Sequence, residues 1–286
     1  MPETQGVATT RRRLRTELRR LREVAGRHQS EVVKELDWSI SKLIRIENGS
    51  VGISVTDVRA LAGVYQADPV RIEELVKLAR VTRERQWWSA YRHILSPSYR
   101  EFIGYEADAT ALLQAHPTAI PGLLQTEEYM RAIIASTGLG SVSSERAEAA
   151  FEVRRRRQNE VLFSGHAPQF TVILDEGALR RHVGGAKVMR GQLEHLAHLA
   201  GDLVTVGIMP FEAGGHLAMQ GAFQIMEFAS EEDASILFLE TATGNPVQRE
   251  QEHVAQYREA FDAMLERSIR GAAAGRFIRR VAADLH

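Results

Sequence analysis

Through the first eighty residues, apolar side chains recur three and four positions apart, in short runs broken by Gly, Asn, Asp or Pro. That is the period of helices burying one stripe. Five are predicted: about Thr10–Ala25, Ser30–Leu36, Ser39–Asn48, Thr56–Tyr65 and Pro69–Arg80. Thr9 or Thr10 is placed to cap the first and Ser30 the second; Gly49 stands where a left-handed C-terminal residue is wanted, and Pro69 at a first-turn position. Short helices joined by a few residues make a compact bundle. From Val81 the pattern changes. An aromatic-rich stretch leads to a helix at about Ser143–Phe163, and then to strand-like runs "QFTVILD", "LVTVGIMPF", "AFQIMEF" and "SILFLET". A fifth strand is expected in "ATALLQA", a helix in "GAKVMRGQLEHLAHLA", and two more in "REQEHVAQYREAFDAMLERS" and "GRFIRRVAADL". The expected fold is α+β: a helical domain over 1–80, then a larger α+β domain over 81–286 with an antiparallel sheet.

Charge sharpens the division. The 286 residues carry a formal net charge of −1, so the whole molecule does not advertise a polyanion partner. Residues 1–86, however, hold 17 Lys and Arg against 12 Asp and Glu, an excess concentrated in "RRRLRTELRRLR". A basic end on a neutral protein is suited to phosphate. With no cysteine there is no disulfide framework, thiolate metal site or thiol nucleophile, as suits a reducing cytoplasm. The N-terminus has no apolar core of a secretory signal, and no run of apolar residues has the length of a membrane span. The expected location is cytoplasmic, on the nucleoid when bound to DNA.

The stretch "QSEVVKELDWSISKLIRIENG", Gln29 to Gly49, meets the demands of a helix-turn-helix: a tight turn, apolar packing positions, and polar residues early in the second helix. Val33 and Leu36 are placed to pack on Leu43 and Ile46, with Trp38 plugging the turn, which leaves Ser39, Ser41, Lys42 and Arg45 on the other side. The segment resembles the repressor-type (Cro/C1, XRE-like) helix-turn-helix family, departing from it at Asp37, where the turn usually has Gly; Asp tolerates a left-handed conformation. The resemblance makes Gln29 a phosphate contact and puts Ile40, Ser41, Ile44 and Arg45 toward base edges, flanked by Ser39 and Lys42. Ser30 and Thr56, at the starts of neighbouring helices, complete the DNA-facing set. Ile40 and Ile44 have two readings, thymine methyl contacts or core packing. Arg22 and Glu47 match a pair that bridges the first helix to the recognition helix in that family.

The second body carries "WW" at 87–88, "IGYEADA", "IPGLLQTEEYMRAII", "VGIMPFEAGGH", "GAFQIMEF" and "FLETATG" in order. These blocks resemble a family of actinobacterial regulators, WhiJ-like, with a C-terminal domain of uncharacterised type after this helix-turn-helix. The resemblance implies a DNA-binding regulator whose C-terminal domain receives a ligand or a small neighbour-encoded partner protein; the expected working form is a homodimer on a double-stranded operator, repressing or activating, with a repressor the first choice. An antitoxin-like role sequestering that partner is the alternative.

Catalytic signatures are absent: no G-x-S-x-G, no P-loop and no H-E-x-x-H. The chain is not expected to be an enzyme or to need a cofactor or metal. His195 and His198 have metal-ligand spacing but read better as solvent-facing, and "FEAGGH" reads better as a hairpin connection than as an anion cradle. Asp175 and Glu176 follow a strand as a helix cap would. Trp87, Trp88 and Tyr91 are candidates for a partner or ligand surface, or for packing between domains. Arg154 to Arg157 spread round a helix as a solvated, partly paired face, and "FIRRVAADL" docks on its own domain or on a partner.

Overall fold

A computed structural model describes residues 6–48, 51–82, 86–137, 144–163, 165, 167–201, 203–230, 233–240, 247–248 and 250–285. It divides into two units, 1–89 and 90–286, a later boundary than the one expected at 80.

The first unit is built from α1 (Val7–Val24), α2 (Gln29–Glu35), α3 (Ile40–Glu47), α4 (Val55–Val64) and α5 (Pro69–Val81). Leu14, Val32, Leu43, Val58 and Leu75 are fully buried at its centre, each contributing about 1.5–3 kcal/mol. Val32, rather than the expected Val33, is the α2 residue at the centre; Val33, Leu36 and Trp38 pack partly buried around it. Two caps differ from expectation. Thr9 and Thr10 lie inside α1 and are buried, because Val7 and Ala8 extend the helix back to Gly6. Ser30 lies inside α2, which starts earlier, where the His28 N–H donates to the Glu31 carboxylate at 2.8 Å. Ser39, Ser54 and Asp68 cap α3, α4 and α5, accepting from the backbone N–H of Lys42, Asp57 and Arg71. Gly49, expected to end α3, lies outside the described residues.

The second unit runs α6 (Pro97–Asp108), β1 (Ala111–His116), α7 (Glu127–Thr137), α8 (Ser144–Leu162), β2 (Gln169–Asp175), α9 (Glu176–Arg180), α10 (Ala186–Leu199), β3 (Val204–Met209), β4 (Phe223–Glu227), β5 (Ile236–Leu239), β6 (Val247–Gln248), α11 (Gln251–Arg267), β7 (Ile269–Arg270) and α12 (Gly271–Ala283). One seven-stranded sheet takes the order β6-β5-β4-β1-β2-β3-β7. The class is α+β as read, but the sheet is mixed instead of antiparallel. β1, β2 and β3 run parallel, with Leu112 beside Phe170 and Phe170 beside Val204, and the remaining pairs are antiparallel. The cause is the connections: α7–α8 and α9–α10 carry the chain back across the sheet before each next strand, which a tight turn cannot do.

That topology also overturns the hairpin at "FEAGGH". β3 and β4 are separated by β2 and β1, so the segment is a crossover. His216 anchors it through Nε2 to Asp175 Oδ2 at 2.9 Å, and Arg267 donates to the carbonyls of Ala213 and Gly215. Asp175 caps α9, accepting from the Gly177 N–H. The four arginines of α8 differ from the solvated face expected. Arg155 and Arg156 do pair at the surface with Glu152 and Glu160, but Arg157 is buried on Glu106 at 2.7 Å. α12 packs on α10 and β3, burying Phe277, Ile278 and Val281 within its own unit.

Candidate nucleic-acid interface

α3 turns two unlike faces outward and inward. Leu43 and Ile46, three residues apart, are buried in the bundle, whereas Ile40 and Ile44 are 43% and 41% exposed. Core packing is thereby removed as the reason for these two isoleucines. Ser39, Ser41 and Arg45 are exposed beside them, so the outer face mixes hydroxyls, a guanidinium and apolar groups. The Arg45 Nε donates to the Ser41 carbonyl one turn back at 3.1 Å, which lays the side chain along the helix. Such a face can read base edges: Arg suits guanine O6 and N7, and branched apolar groups suit thymine methyls.

A polar clamp holds this face in place. Arg22 on α1 meets Glu47 on α3 through two contacts, Nε to Oε1 at 2.7 Å and Nη2 to Oε2 at 3.3 Å. Their side chains are only 13% and 9% exposed. Arg22 also donates to the Arg27 carbonyl, and Gln29 donates its amide to Glu47 Oε2 at 2.7 Å. The Glu47 hydrogen bond holds the Arg22 guanidinium above its ordinary pKa. The Tyr65 hydroxyl is pushed up by burial and then by the Glu47 charge. Gln29, expected to contact phosphate, thus also joins the clamp that sets the angle of α3 against α1 and α2.

Lys42, placed beside the base-reading residues by the sequence, is half-buried. Its Nζ lies 2.7 Å from Asp57 Oδ1 and 3.5 Å from the Trp38 ring centroid, so it ties α3 to the first turn of α4 and to the inter-helix turn. Burial would raise the Asp57 carboxyl, but hydrogen bonds from Lys42 and Ser54 hold it below its ordinary value. Thr56, next to that pair, and Ser30 are exposed. Asp37 has φ 53°, the left-handed conformation that its place in the turn requires. Beside α3 a groove of about 430 Å³ is lined by Arg19, His28, Gln29, Ile44, Glu47 and Asn48 among others. Arg19, His28 and Asn48 escaped the sequence reading, because nothing in one-dimensional spacing places α1 and the start of α2 beside α3. Much of the basic run on α1 is engaged within the unit: Arg19 on Glu23, Arg20 on Glu17, Arg15 on the Asn48 carbonyl and Arg11 on the Thr82 carbonyl.

The aromatic candidates form a short turn, Trp87–Tyr91, at the division between the units, with Trp87 and Trp88 edge to face at 5.5 Å. None of that turn's residues is buried. His195 is half-buried and His198 exposed; burial and then the neighbouring His198 lower the His195 pKa. Among the described residues no group of three or more His, Asp and Glu is placed to hold a metal ion, and no helix is long and apolar enough to cross a membrane.

Comparison with known proteins gives two matches. Residues 13–75 match the family described as a helix-turn-helix domain, which makes the chain a DNA-binding regulator. Residues 99–280, well over half of the chain, match the family described as a domain of unknown function (DUF5753). No curated protein and no solved structure matches it.

Proposed function

We propose, for a chain that belongs to the DUF5753 family and carries a helix-turn-helix ahead of that domain, a sequence-specific transcriptional repressor working as a homodimer and controlled through its second unit. The observation that carries the reading is the outer face of α3. Two isoleucines more than 40% exposed, two hydroxyls and an arginine stand on a helix that the Arg22–Glu47–Gln29 clamp holds rigidly from behind. Against thymine methyls, two branched apolar residues one turn apart beside an arginine and hydroxyls are specificity determinants. Gln29 and the residues lining the groove beside it would position the duplex through phosphates, and Arg45, Ile40, Ser41 and Ile44 would read it. One eight-residue helix reaches few base pairs, so useful affinity calls for two reading heads on half-sites one helical turn, about 34–36 Å, apart.

Selection of bound sequences from a random duplex library with the full-length protein tests this. The expected outcome is enrichment of a two-fold symmetric site whose half-sites are separated by one turn or a multiple of it. A library that emerges unenriched, with binding abolished by moderate salt, would leave only non-specific phosphate attraction and retire the reading.

A further inference from the structure

The second unit holds a partly open cavity of about 410 Å³ at the C-terminal end of β1, between α6, α8, the start of β4 and the end of β5. That volume is in the range of about 300–1,000 Å³ usual for small-molecule sites. One wall is the irregular segment after β1, and the side-chain amides of half-buried Gln158 and buried Gln192 pin it. Gln158 Nε2 donates to the carbonyls of Gly122, Leu123 and Gln125, while Gln192 accepts from the Thr126 N–H and donates to the Leu124 carbonyl. A loop fixed in this way forms a standing wall. Phe102 and Phe238, also in the lining, lie with ring centroids 4.0 Å apart.

The charges in the wall are unevenly matched. Arg157 meets Glu106 at 2.7 Å and donates to the Tyr99 hydroxyl oxygen at 2.6 Å; burial opposes its charge, but Glu106 and Tyr99 together hold its pKa above the ordinary value. His116 accepts the Ala119 N–H on Nδ1 and turns Nε2 to the Glu240 carboxylate at 3.3 Å. Arg154 stands one turn before Arg157 on α8, and its Nη1 is buried with no hydrogen-bond partner among the described residues. Burial lowers its pKa, with Tyr99 and Glu240 opposing. A buried donor on a charged group without an acceptor is among the costlier features a fold can keep. Here it points at a ligand, because the group lines a cavity with a pinned wall and, unlike Arg157 one turn on, has no carboxylate in ion-pair contact among the described residues.

We propose that this cavity binds a small organic monoanion, a carboxylate on a flat apolar body, with the carboxylate on Arg154 and the body against Phe102 and Phe238. A dianion such as phosphate is disfavoured, since the Glu106 and Glu240 carboxylates stand close to the same two arginines. The claim about binding stands apart from DNA; it rests on the proposed function only for its consequence, that the ligand alters operator affinity.

The probes are naphthalene-1-acetate and its uncharged carboxamide, titrated calorimetrically into the full-length protein without DNA, so the result is independent of whether an operator is found. The acid should bind one site per chain and at least about tenfold tighter than the amide. Arg154→Gln should bring the acid down to the level of the amide, Arg154→Lys should restore part of the difference, and Ala150→Phe, which fills the cavity, should remove both. Because Arg154 Nη1 has no partner to lose, Arg154→Gln should melt no lower than the wild type, which separates lost binding from lost folding. Equal affinity for acid and amide, an acid insensitive to Arg154→Gln, no binding of the acid at millimolar concentration, or its displacement by equimolar inorganic phosphate would each overturn the proposal.

Discussion

At the scale of the residue, Arg45 and Glu47 sit two positions apart on α3 and have opposite roles. Arg45 is exposed on the reading face, so Arg45→Ala should relax preference at one guanine, worth about 1–3 kcal/mol there, and leave the rest of the site unchanged. Gln29→Ala should weaken all sequences alike. Binding-site selection repeated with each variant checks both, and an unaltered guanine preference in Arg45→Ala would remove that residue from the reading face. Glu47 faces the other way and answers Arg22 and Gln29. Glu47→Ala strands a mostly buried guanidinium, and we expect about 3–5 kcal/mol lost from the first unit, seen as an earlier melting transition. An unshifted transition would mean that the clamp contributes nothing to stability. Asp57 gives a pH test. Its folded pKa is depressed, so its contribution is complete above its ordinary value of 3.8 and is lost as pH falls through the lower folded value. The advantage of the wild type over Asp57→Asn should therefore be constant near neutrality and shrink in acid, measured by melting the two proteins across that range.

At the scale of the element, the turn between α2 and α3 is the informative one. Asp37 holds φ 53° where an L residue is strained, and Asp is one of the few side chains that tolerates it. Asp37→Gly should leave the fold intact with a melting temperature equal or slightly higher, because relief of strain offsets the added freedom of the unfolded chain. Asp37→Val should cost about 1–2 kcal/mol, since a β-branched residue resists that conformation. A valine variant that melted like the wild type would show that the turn adopts another conformation. Elements also mark where reading from sequence stopped. β2 matches "QFTVILD" residue for residue, and α8, α10 and α11 fall within the predicted runs, because long periodic segments declare themselves. α9 follows the cap expected at Asp175, whereas α6 and α7 lie in the aromatic-rich stretch for which no helix is predicted, and β6 and β7 are two residues each, too short to show any period.

At the scale of the whole molecule, the proposed dimer needs a surface that joins two chains. The two C-terminal helices were natural candidates for self-association, but α12 buries Phe277, Ile278 and Val281 in its own unit, and α11 buries Val254, Phe261 and Met264 against the sheet. Exposed apolar residues of the second unit lie elsewhere, Phe211 and Met219 on the β3–β4 crossover among them, at 60% and 65% exposure. We expect the full-length protein to sediment as a dimer and operator affinity to fall away below the dimer's dissociation constant. Tight operator binding by a sedimenting monomer would end the two-headed reading.

The sequence by itself determined the five short helices of the first unit, the exposed hydroxyls and arginine of α3 and the presence of most long elements. Each depends on residues near one another in the chain, where helical period, capping chemistry and turn preference act directly. The Arg22–Glu47 pair joins residues 25 apart and was indicated by the family resemblance. Tertiary structure alone decided the rest. Whether Ile40 and Ile44 were core or surface depended on which face of α3 the other helices covered. The parallel run of β1, β2 and β3 depended on where the intervening helices crossed the sheet. In α8, four consecutive arginines look equivalent in one dimension, yet two are solvated, one is buried on Glu106 and one lines a cavity. Burial and pairing are set by elements far away in the chain, and a charge takes its meaning from the dielectric and the counter-charges that those elements bring.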